Sequence, residues 1–177
     1  MSNRTTAYLS LGSNLGDRKG NLLTARGLIE ERTGILDRVS SLFETAPWGY
    51  ESRNPFYNCC LAVSTFLKPL PLLDTLLGIE QQMGRRRSNQ GYSDRLIDVD
   101  ILFYGDIAFS HPRLTLPHPS TPERLFVLVP LEEIAPELKD PVSGRTVREM
   151  LEFCSDPSSV KRVEDQTRWN STPSQNL

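Results

Sequence analysis

Arg95-Leu-Ile-Asp-Val-Asp-Ile-Leu-Phe-Tyr104 constrains this chain more tightly than any other stretch. It sets two carboxylates, Asp98 and Asp100, at i and i+2 inside a run of strand formers: Val99, Ile101, Leu102, Phe103 and Tyr104. Side chains at i and i+2 of a strand share a face, so Asp98 and Asp100 stand side by side while Val99 looks the other way. Two like charges that close, on a largely buried strand, repel each other and lose hydration. A divalent cation is the simplest compensation, and Mg²⁺ is usually held by one or two carboxylates plus substrate phosphates. Arg85, Arg86, Arg87 and Arg95 lie just upstream, and guanidinium groups suit phosphate clamping. Each feature alone has a plain structural reading, as edge charges that discourage sheet aggregation or as a solvated basic face. Joined in one short segment, they point to a metal–polyphosphate site.

The 177 residues fit one domain with a tail and suffice for a sizeable core. A net charge of −2 argues against a general nucleic-acid binder. The positive charge is local instead, with four of the twenty Lys and Arg residues between 85 and 95, which suits a small polyanion. Cys59, Cys60 and Cys154 form no C-x-x-C pair, so they read as small buried hydrophobes in a reducing compartment. The polar N-terminus and the lack of a long apolar span give the expectation of a cytoplasmic protein without a membrane segment.

Along the chain, residues 6–12 read as a strand, 12–17 as a loop and 18–33 as a helix between an Asp17 cap and a Gly34 stop. Residues 35–46 and 56–67 read as strands separated by an exposed, turn-rich loop at 47–55. A second helix spans 70–83, with Leu72, Leu73, Leu76, Leu77, Ile79 and Met83 as its apolar side. A polar loop at 85–94, expected to be mobile, precedes the Asp-x-Asp strand at 96–104, and Gly105-Asp106 is expected to turn that strand into a hairpin with Ile107–Phe109. Residues 111–124 read as a proline-rich loop. A helix around Phe126–Leu131, breakable at Pro130, and a short helix at 146–153 follow. The β-α-β-β-α-β order predicts an α+β, ferredoxin-like sandwich, a mostly antiparallel sheet with helices packed on it. Residues 1–155 are expected to form the single domain, with 156–177 a polar, partly disordered tail.

Several motifs, in order, resemble the 6-hydroxymethyl-7,8-dihydropterin pyrophosphokinase family of the folate pathway. They are Leu9-Ser-Leu-Gly-Ser-Asn-Leu-Gly-Asp-Arg18, Thr45-Ala-Pro-Trp-Gly49 with Asn54-Pro-Phe-Tyr-Asn58, Ile79-Glu-Gln-Gln-Met-Gly-Arg-Arg-Arg87, Arg95-Leu-Ile-Asp-Val-Asp-Ile101, and Arg113-Leu-Thr-Leu-Pro-His-Pro119 before Arg124-Leu-Phe126. The resemblance implies transfer of pyrophosphate from ATP to the hydroxymethyl group of the dihydropterin, with release of AMP and the participation of two Mg²⁺ ions. It implies that Asp98 and Asp100 hold both metals. Arg85, Arg87 and Arg95 match basic positions that contact the triphosphate, and Arg113, His118 and Arg124 match further positions at the phosphates or near the nucleotide. Leu73, Ile101 and Thr115 match positions around adenine and ribose. Phe56 and Phe126 match aromatics that sandwich the pterin, Asn58 and the backbone at Thr45 and Ala46 match groups that read its polar edge, and Trp48 matches an apolar closing side chain. Glu80 matches a carboxylate near the loop arginines. Catalysis would rest on Asp98, Asp100, Arg85 and Arg95, and the loop at 12–16, which lacks the Lys-Ser/Thr of a P-loop, would close over the pterin side.

The site logic agrees with the chemistry of a flat heterocycle, which needs two apolar faces and one polar edge. Without the resemblance, Phe56 and Phe126 read as core aromatics, and Asn58 and His118 as local hydrogen-bonding residues. His111 matches nothing. The family usually carries a Trp-Gly-Pro-Arg-Thr-like run where this chain has Tyr92-Ser93-Asp94-Arg95-Leu96. Tyr92 is expected to replace the tryptophan, and Asp94 to add negative charge beside the phosphates. The expected partners are ATP and the pterin, with no nucleic acid and no membrane, and the expected state is a monomer. The alternatives are a catalytically silent pterin- or nucleotide-binding module and, less well supported by the charge, a metal-dependent nuclease.

Overall fold

The computed structural model describes residues 3–85 and 93–170, so Arg86, Arg87 and Tyr92 lie outside the described residues. The long strand β1 (Thr5–Ser13) leads through a short loop into helix α1 (Arg18–Thr33). The Asp17 carboxylate caps α1 by accepting from the Gly20 N–H at 2.9 Å. The helix stops at Gly34, whose φ of 151° and close approach to the carbonyl of Ser64, 2.1 Å from where a Cβ would sit, exclude any side chain. Strands β2 (Gly34–Val39) and β3 (Phe43–Thr45) follow, then the long β4 (Phe56–Thr65).

Helix α2 (Pro69–Gln82) opens on a proline in its first turn, where the missing N–H costs nothing, and buries Leu72, Leu76 and Ile79 along one side. Strand β5 (Asp98–Tyr104) completes the β-α-β-β-α-β unit. A small hairpin of β6 (Phe109–His111) and β7 (Leu114–Leu116), a 3₁₀ turn at Thr121–Glu123, helices α3 (Leu125–Ile134) and α4 (Val147–Phe153), and strand β8 (Val160–Arg162) follow.

The main sheet runs β5-β1-β4-β3-β8, with β2 also on β4, and every pairing within it is antiparallel. Helices α1 and α2 cover one face through Leu22, Ile29, Leu72, Leu76 and Ile79 against Leu9, Leu11, Leu61 and Val63. Helices α3 and α4 cover the other through Val127, Leu128, Leu131 and Met150 against Cys60, Ala62, Leu102 and Phe103. This is the expected ferredoxin-like α+β sandwich. Burial pushes the thiols of Cys59 and Cys60 far up, and both serve as small core residues. No described helix is long and apolar enough to cross a membrane.

Four local expectations need correction. The strand expected over 35–46 is two strands, because the Ser40 hydroxyl accepts the Cys60 N–H at 2.9 Å in place of a backbone carbonyl and bends the edge of the sheet there. The turn at Gly105-Asp106 does not pair β5 with the segment after it, since β6 pairs with β7 inside the supposed loop. Helix α3 runs unbroken through Pro130.

The largest correction concerns the chain beyond 155, which packs against the sheet as far as 170. Strand β8 pairs with β3, and the Gln166 amide bonds both backbone groups of Leu42, at 3.0 and 3.1 Å. Trp169 is 1% exposed within the core; its indole N–H donates to the Ser40 carbonyl at 2.8 Å, and its own carbonyl accepts from Arg26 at 2.6 Å. Average polarity hid this segment, since one buried tryptophan supplies much of its anchoring area.

Candidate active site

Strand β5 alternates as its sequence requires. Val99 and Ile101 enter the core beneath α2, and Asp98 and Asp100 project from the opposite face. The end of α2 brings the first arginine to them. Gly84, at φ 91°, turns the chain, and the Arg85 N–H closes the final turn on the Glu80 carbonyl at 3.0 Å. The Arg85 guanidinium lies between the carboxylates of Glu80 and Asp98, 2.5 Å from Asp98 Oδ1. Glu80 is buried and also accepts the Val99 N–H at 2.7 Å, which ties α2 to β5. Burial alone would lower the pKa of Arg85, but Asp98 and Glu80 outweigh it and raise it. On its other oxygen Asp98 meets Arg95 Nη1 at 2.9 Å.

Asp100 is balanced less well. Among the described residues it forms an ion pair with Arg124, at 3.9 Å. Burial, with the charge of Asp98 second, pushes its pKa up to about 7, and the Arg124 charge only partly opposes this. A carboxyl in that range exchanges its proton for a cation readily. Among the described residues no group of three or more His, Cys, Asp or Glu gathers to form a closed metal cage. Asp98 and Asp100 on one face, open to a cavity, instead fit Mg²⁺, which keeps water and phosphate oxygens as its remaining ligands.

Two cavities meet at these carboxylates. The first, of about 280 Å³, is lined by Thr45, Ala46, Trp48, Phe56, Asn58 and Phe126, with Arg85, Arg95, Asp98 and Asp100 along one side. Its floor is the middle of the sheet. Gly12 of β1 pairs with Asn58 on one side and Asp98 on the other, and a Cβ there would lie 2.8 Å from Asn58 Oδ1. Asn58 donates from Nδ2 to Thr45 Oγ1 at 2.7 Å, which aims its amide oxygen. Trp48 leans on Phe126 with ring centroids 6.4 Å apart, and the Arg124 guanidinium lies 4.6 Å from the Trp48 ring.

The second cavity, of about 450 Å³, is lined by Leu73 and Leu77 of α2, Ile101 of β5, and Arg113, Thr115 and His118 around the small hairpin. It shares Arg85, Asp98, Asp100, His118 and Ser120 with the first. His118 accepts the Ser120 N–H at Nδ1, 3.2 Å away, so its neutral ring carries the proton on Nε2. Burial, then the nearby Arg124, keeps its pKa low. Arg113 pairs with Asp74 at the outer rim.

The residues expected around the pterin thus line one cavity, and most of those expected around the nucleotide line the other. Arg95 and Arg124 differ, since both line the first cavity and not the second, Arg124 beside Trp48, Phe126 and Asp100. Arg87 lies outside the described residues. Asp94 differs most from expectation: it lines neither cavity and accepts hydrogen bonds from Asn14, Tyr50, Ser52 and Asn54. Ser10, Tyr50 and Ser120 also line the first cavity and escaped the sequence reading, and Gly12, expected only as the start of a closing loop, lines it from the end of β1. The end of a strand facing two motif strands was the available signal for Gly12, and Tyr50 lay within an already suspected loop.

The profile of the 7,8-dihydro-6-hydroxymethylpterin-pyrophosphokinase (HPPK) family matches residues 8–136. The 2-amino-4-hydroxy-6-hydroxymethyldihydropteridine pyrophosphokinase of Methylorubrum extorquens is 44% identical over 163 residues, covering 90% of this chain and 99% of that one. The protein of the same description from Bacillus subtilis is 37% identical over 156 residues, covering 87% and 93%. Among solved structures, an HPPK-DHPS in complex with substrates superposes with a TM-score of 0.72 at 19% identity, which speaks for the fold alone. This chain is covered to 85% in that match and spans 43% of the length of the solved chain. Matched by the family profile over most of its length and by relatives of nearly its own extent, the chain belongs to the 7,8-dihydro-6-hydroxymethylpterin-pyrophosphokinase family.

Proposed function

We propose that this protein transfers the pyrophosphoryl group of ATP to 6-hydroxymethyl-7,8-dihydropterin in folate biosynthesis, giving the pterin diphosphate and AMP. The observation that carries this reading is the junction of two cavities at Asp98, Asp100 and Arg85. A donor in one cavity and an acceptor in the other would meet where the charge is concentrated. The pterin hydroxymethyl oxygen attacks the β-phosphorus, the bond to the oxygen bridging the α and β phosphates breaks, and the hydroxyl proton leaves to solvent.

Leu73, Ile101 and Thr115 receive the adenosine, and Arg113, His118, Arg87 and Arg85 receive its phosphates. Arg124 faces the junction from the pterin side. His118, neutral with Nε2–H as donor, suits a phosphate oxygen without adding a titrating charge. Phe56 and Phe126 supply apolar faces to the pterin, Asn58 and the backbone at Thr45 and Ala46 read its polar edge, and Trp48 covers it. Asp98 and Asp100 hold two Mg²⁺ ions, which when bound neutralise the phosphates and stabilise charge developing at the transferred group. Arg85 and Arg95, which share Asp98 between them, carry the charge that the same phosphate oxygens need. Positioning and electrostatics, rather than a strong side-chain base, supply the rate. The catalytic unit acts as a single domain that includes the packed segment after 155, as a cytoplasmic monomer serving small molecules.

The test is AMP formation from ATP and Mg²⁺ with and without the pterin. AMP that appears only with the pterin, in step with its diphosphate, is the expected result. Protein that binds both ligands and releases no AMP would instead be a silent binding module.

A further inference from the structure

Asp94 ties three separate parts of the site together. Its Oδ1 accepts from Asn14 Nδ2 at 2.7 Å and from the Tyr50 hydroxyl at 3.0 Å. Its Oδ2 accepts from Ser52 Oγ at 2.9 Å and from Asn54 Nδ2 at 2.5 Å. A carboxylate offers about four acceptor directions, so these neutral donors use its whole capacity. Asn14 belongs to the loop after β1, and Tyr50, Ser52 and Asn54 to the loop at 46–55 between β3 and β4.

Asn14 also grips the residue that follows. Its Oδ1 accepts the Arg95 N–H at 2.7 Å, and its own N–H donates to the Arg95 carbonyl at 3.1 Å. Asn14 is buried at the end of the strand in the centre of the site, so it is the fixed point of the arrangement. The loop held through Asp94 carries Trp48 and Tyr50 of the first cavity and runs directly into Phe56. Desolvation pulls the pKa of Asp94 up, but the hydrogen bonds from Ser52, Asn54, Asn14 and Tyr50 outweigh it and hold it below the ordinary carboxylate range. It is therefore ionised at neutral pH, the form that accepts all four bonds.

We propose that Asp94 is a positioning residue for the pterin: a clasp, without contact to substrate, that fixes the 46–55 loop against the β1 loop around the first cavity. The proposal rests on the reading of that cavity as the pterin site. Its consequence is a selective one. When Asp94 is lost, Asn14 still holds the backbone of Arg95 and keeps two longer bonds to the loop, to the Tyr50 hydroxyl at 3.2 Å and the Asn54 carbonyl at 3.1 Å. The phosphate side therefore keeps its geometry while the pterin side, without the bonds to the carboxylate, loosens.

The experiment is steady-state kinetics on Asp94→Ala, Asp94→Asn and Tyr50→Phe, singly and in the Asp94→Ala, Tyr50→Phe pair. Asp94→Ala is expected to raise the KM for the pterin about tenfold or more, with the KM for ATP and kcat each within about threefold of the parent. Asp94→Asn is expected to fall between the two, because the hydroxyls of Tyr50 and Ser52 can rotate to accept from the new amide. Tyr50→Phe is expected to cost the parent about threefold in pterin KM and to cost Asp94→Ala clearly less, as groups in one network couple, the remainder being the bond that the Tyr50 hydroxyl accepts from Asn14.

An unchanged pterin KM in folded Asp94→Ala, costs that simply multiply in the pair, or equal losses for both substrates would each overturn the clasp. If Asp94→Ala does not fold, the Ser52→Ala, Asn54→Ala double variant removes the donors of one oxygen from the exposed side, and the same selective pattern at smaller size is required. Phe56→Ala separates the two ideas. If it leaves pterin binding intact, the pterin reading of the cavity fails, whatever Asp94 does.

Discussion

On the β5 side of the cleft, Glu80, Asp98 and Asp100 confront Arg85, Arg95 and Arg124, and burial, with the charge of Asp98 second, pushes the Asp100 carboxyl up to about 7. On the β4 side, Thr45, Phe56 and Asn58 are neutral and buried, Asn58 is bonded to Thr45, and Gly12 lies against Asn58 and Phe56. The two sides are separated by a single strand, β1, yet they are built by opposite means. The β5 side keeps charges that the protein alone leaves imperfectly compensated, which favours ligands that bring phosphate and metal. The β4 side is shaped before any ligand arrives, which favours a rigid, flat one.

The sharpest way to break this contrast is Asp98→Ala. It is expected to lower turnover by about a thousandfold or more, because the transferred group loses its principal electrostatic support. The fold should survive, since Asp98 lies outside the apolar core. AMP release near the parental rate would remove the β5 side from the chemistry.

Next in size is Trp169→Ala, aimed at the support of the β4 side. Trp169 and Gln166 strap the edge of the sheet at Ser40 and Leu42, next to β3. Loss of so large a buried ring is expected to destabilise folding by about 3 kcal/mol or more, read by denaturant titration. Turnover at 25 °C should stay close to the parent. A large rise in pterin KM without loss of stability would mean that the strap shapes the cavity directly.

Gly12→Ala sharpens the comparison further, because Gly12 lies between the two sides. The new methyl would crowd the Asn58 amide and the Phe56 ring. Pterin affinity is expected to fall about fivefold by calorimetry, with ATP binding little changed, since the methyl intrudes only toward β4. Equal losses for both ligands would show that the two sides are mechanically one.

The smallest effect is one of pH, and it concerns the strap. Bonds from Thr167 and then Lys19 lower the pKa of Asp165 to about 2. A depressed carboxylate stabilises the fold above its unfolded pKa, about 4, and loses that contribution as pH falls through the folded value. The difference in thermal midpoint between the parent and Asp165→Asn should therefore shrink as pH drops from 5 toward 2. A gap that widens on acidification would contradict the sign.

Much of the fold was legible locally. Helices α1 and α2 declared themselves through the Asp17 cap, the apolar spacing and the glycines after them, and the paired faces of Asp98 and Asp100 followed from strand alternation alone. Other features needed partners distant in the chain. The break between β2 and β3 depends on Cys60, opposite Ser40, and the position of Arg124 depends on how α3 docks beside Trp48. Asp94 reads in sequence as one more charge near the phosphates; its four donors lie 40 to 80 residues away.

Local sequence specified the two long helices, the central strands, the same-face carboxylates and the family, because caps, periodicity and motifs act within a few residues. Only the tertiary structure decided that two cavities meet at Asp98 and Asp100, that Trp169 closes the core and that Asp94 clasps two loops. These depend on contacts between segments far apart in the chain, whose geometry exists only after the sheet has formed.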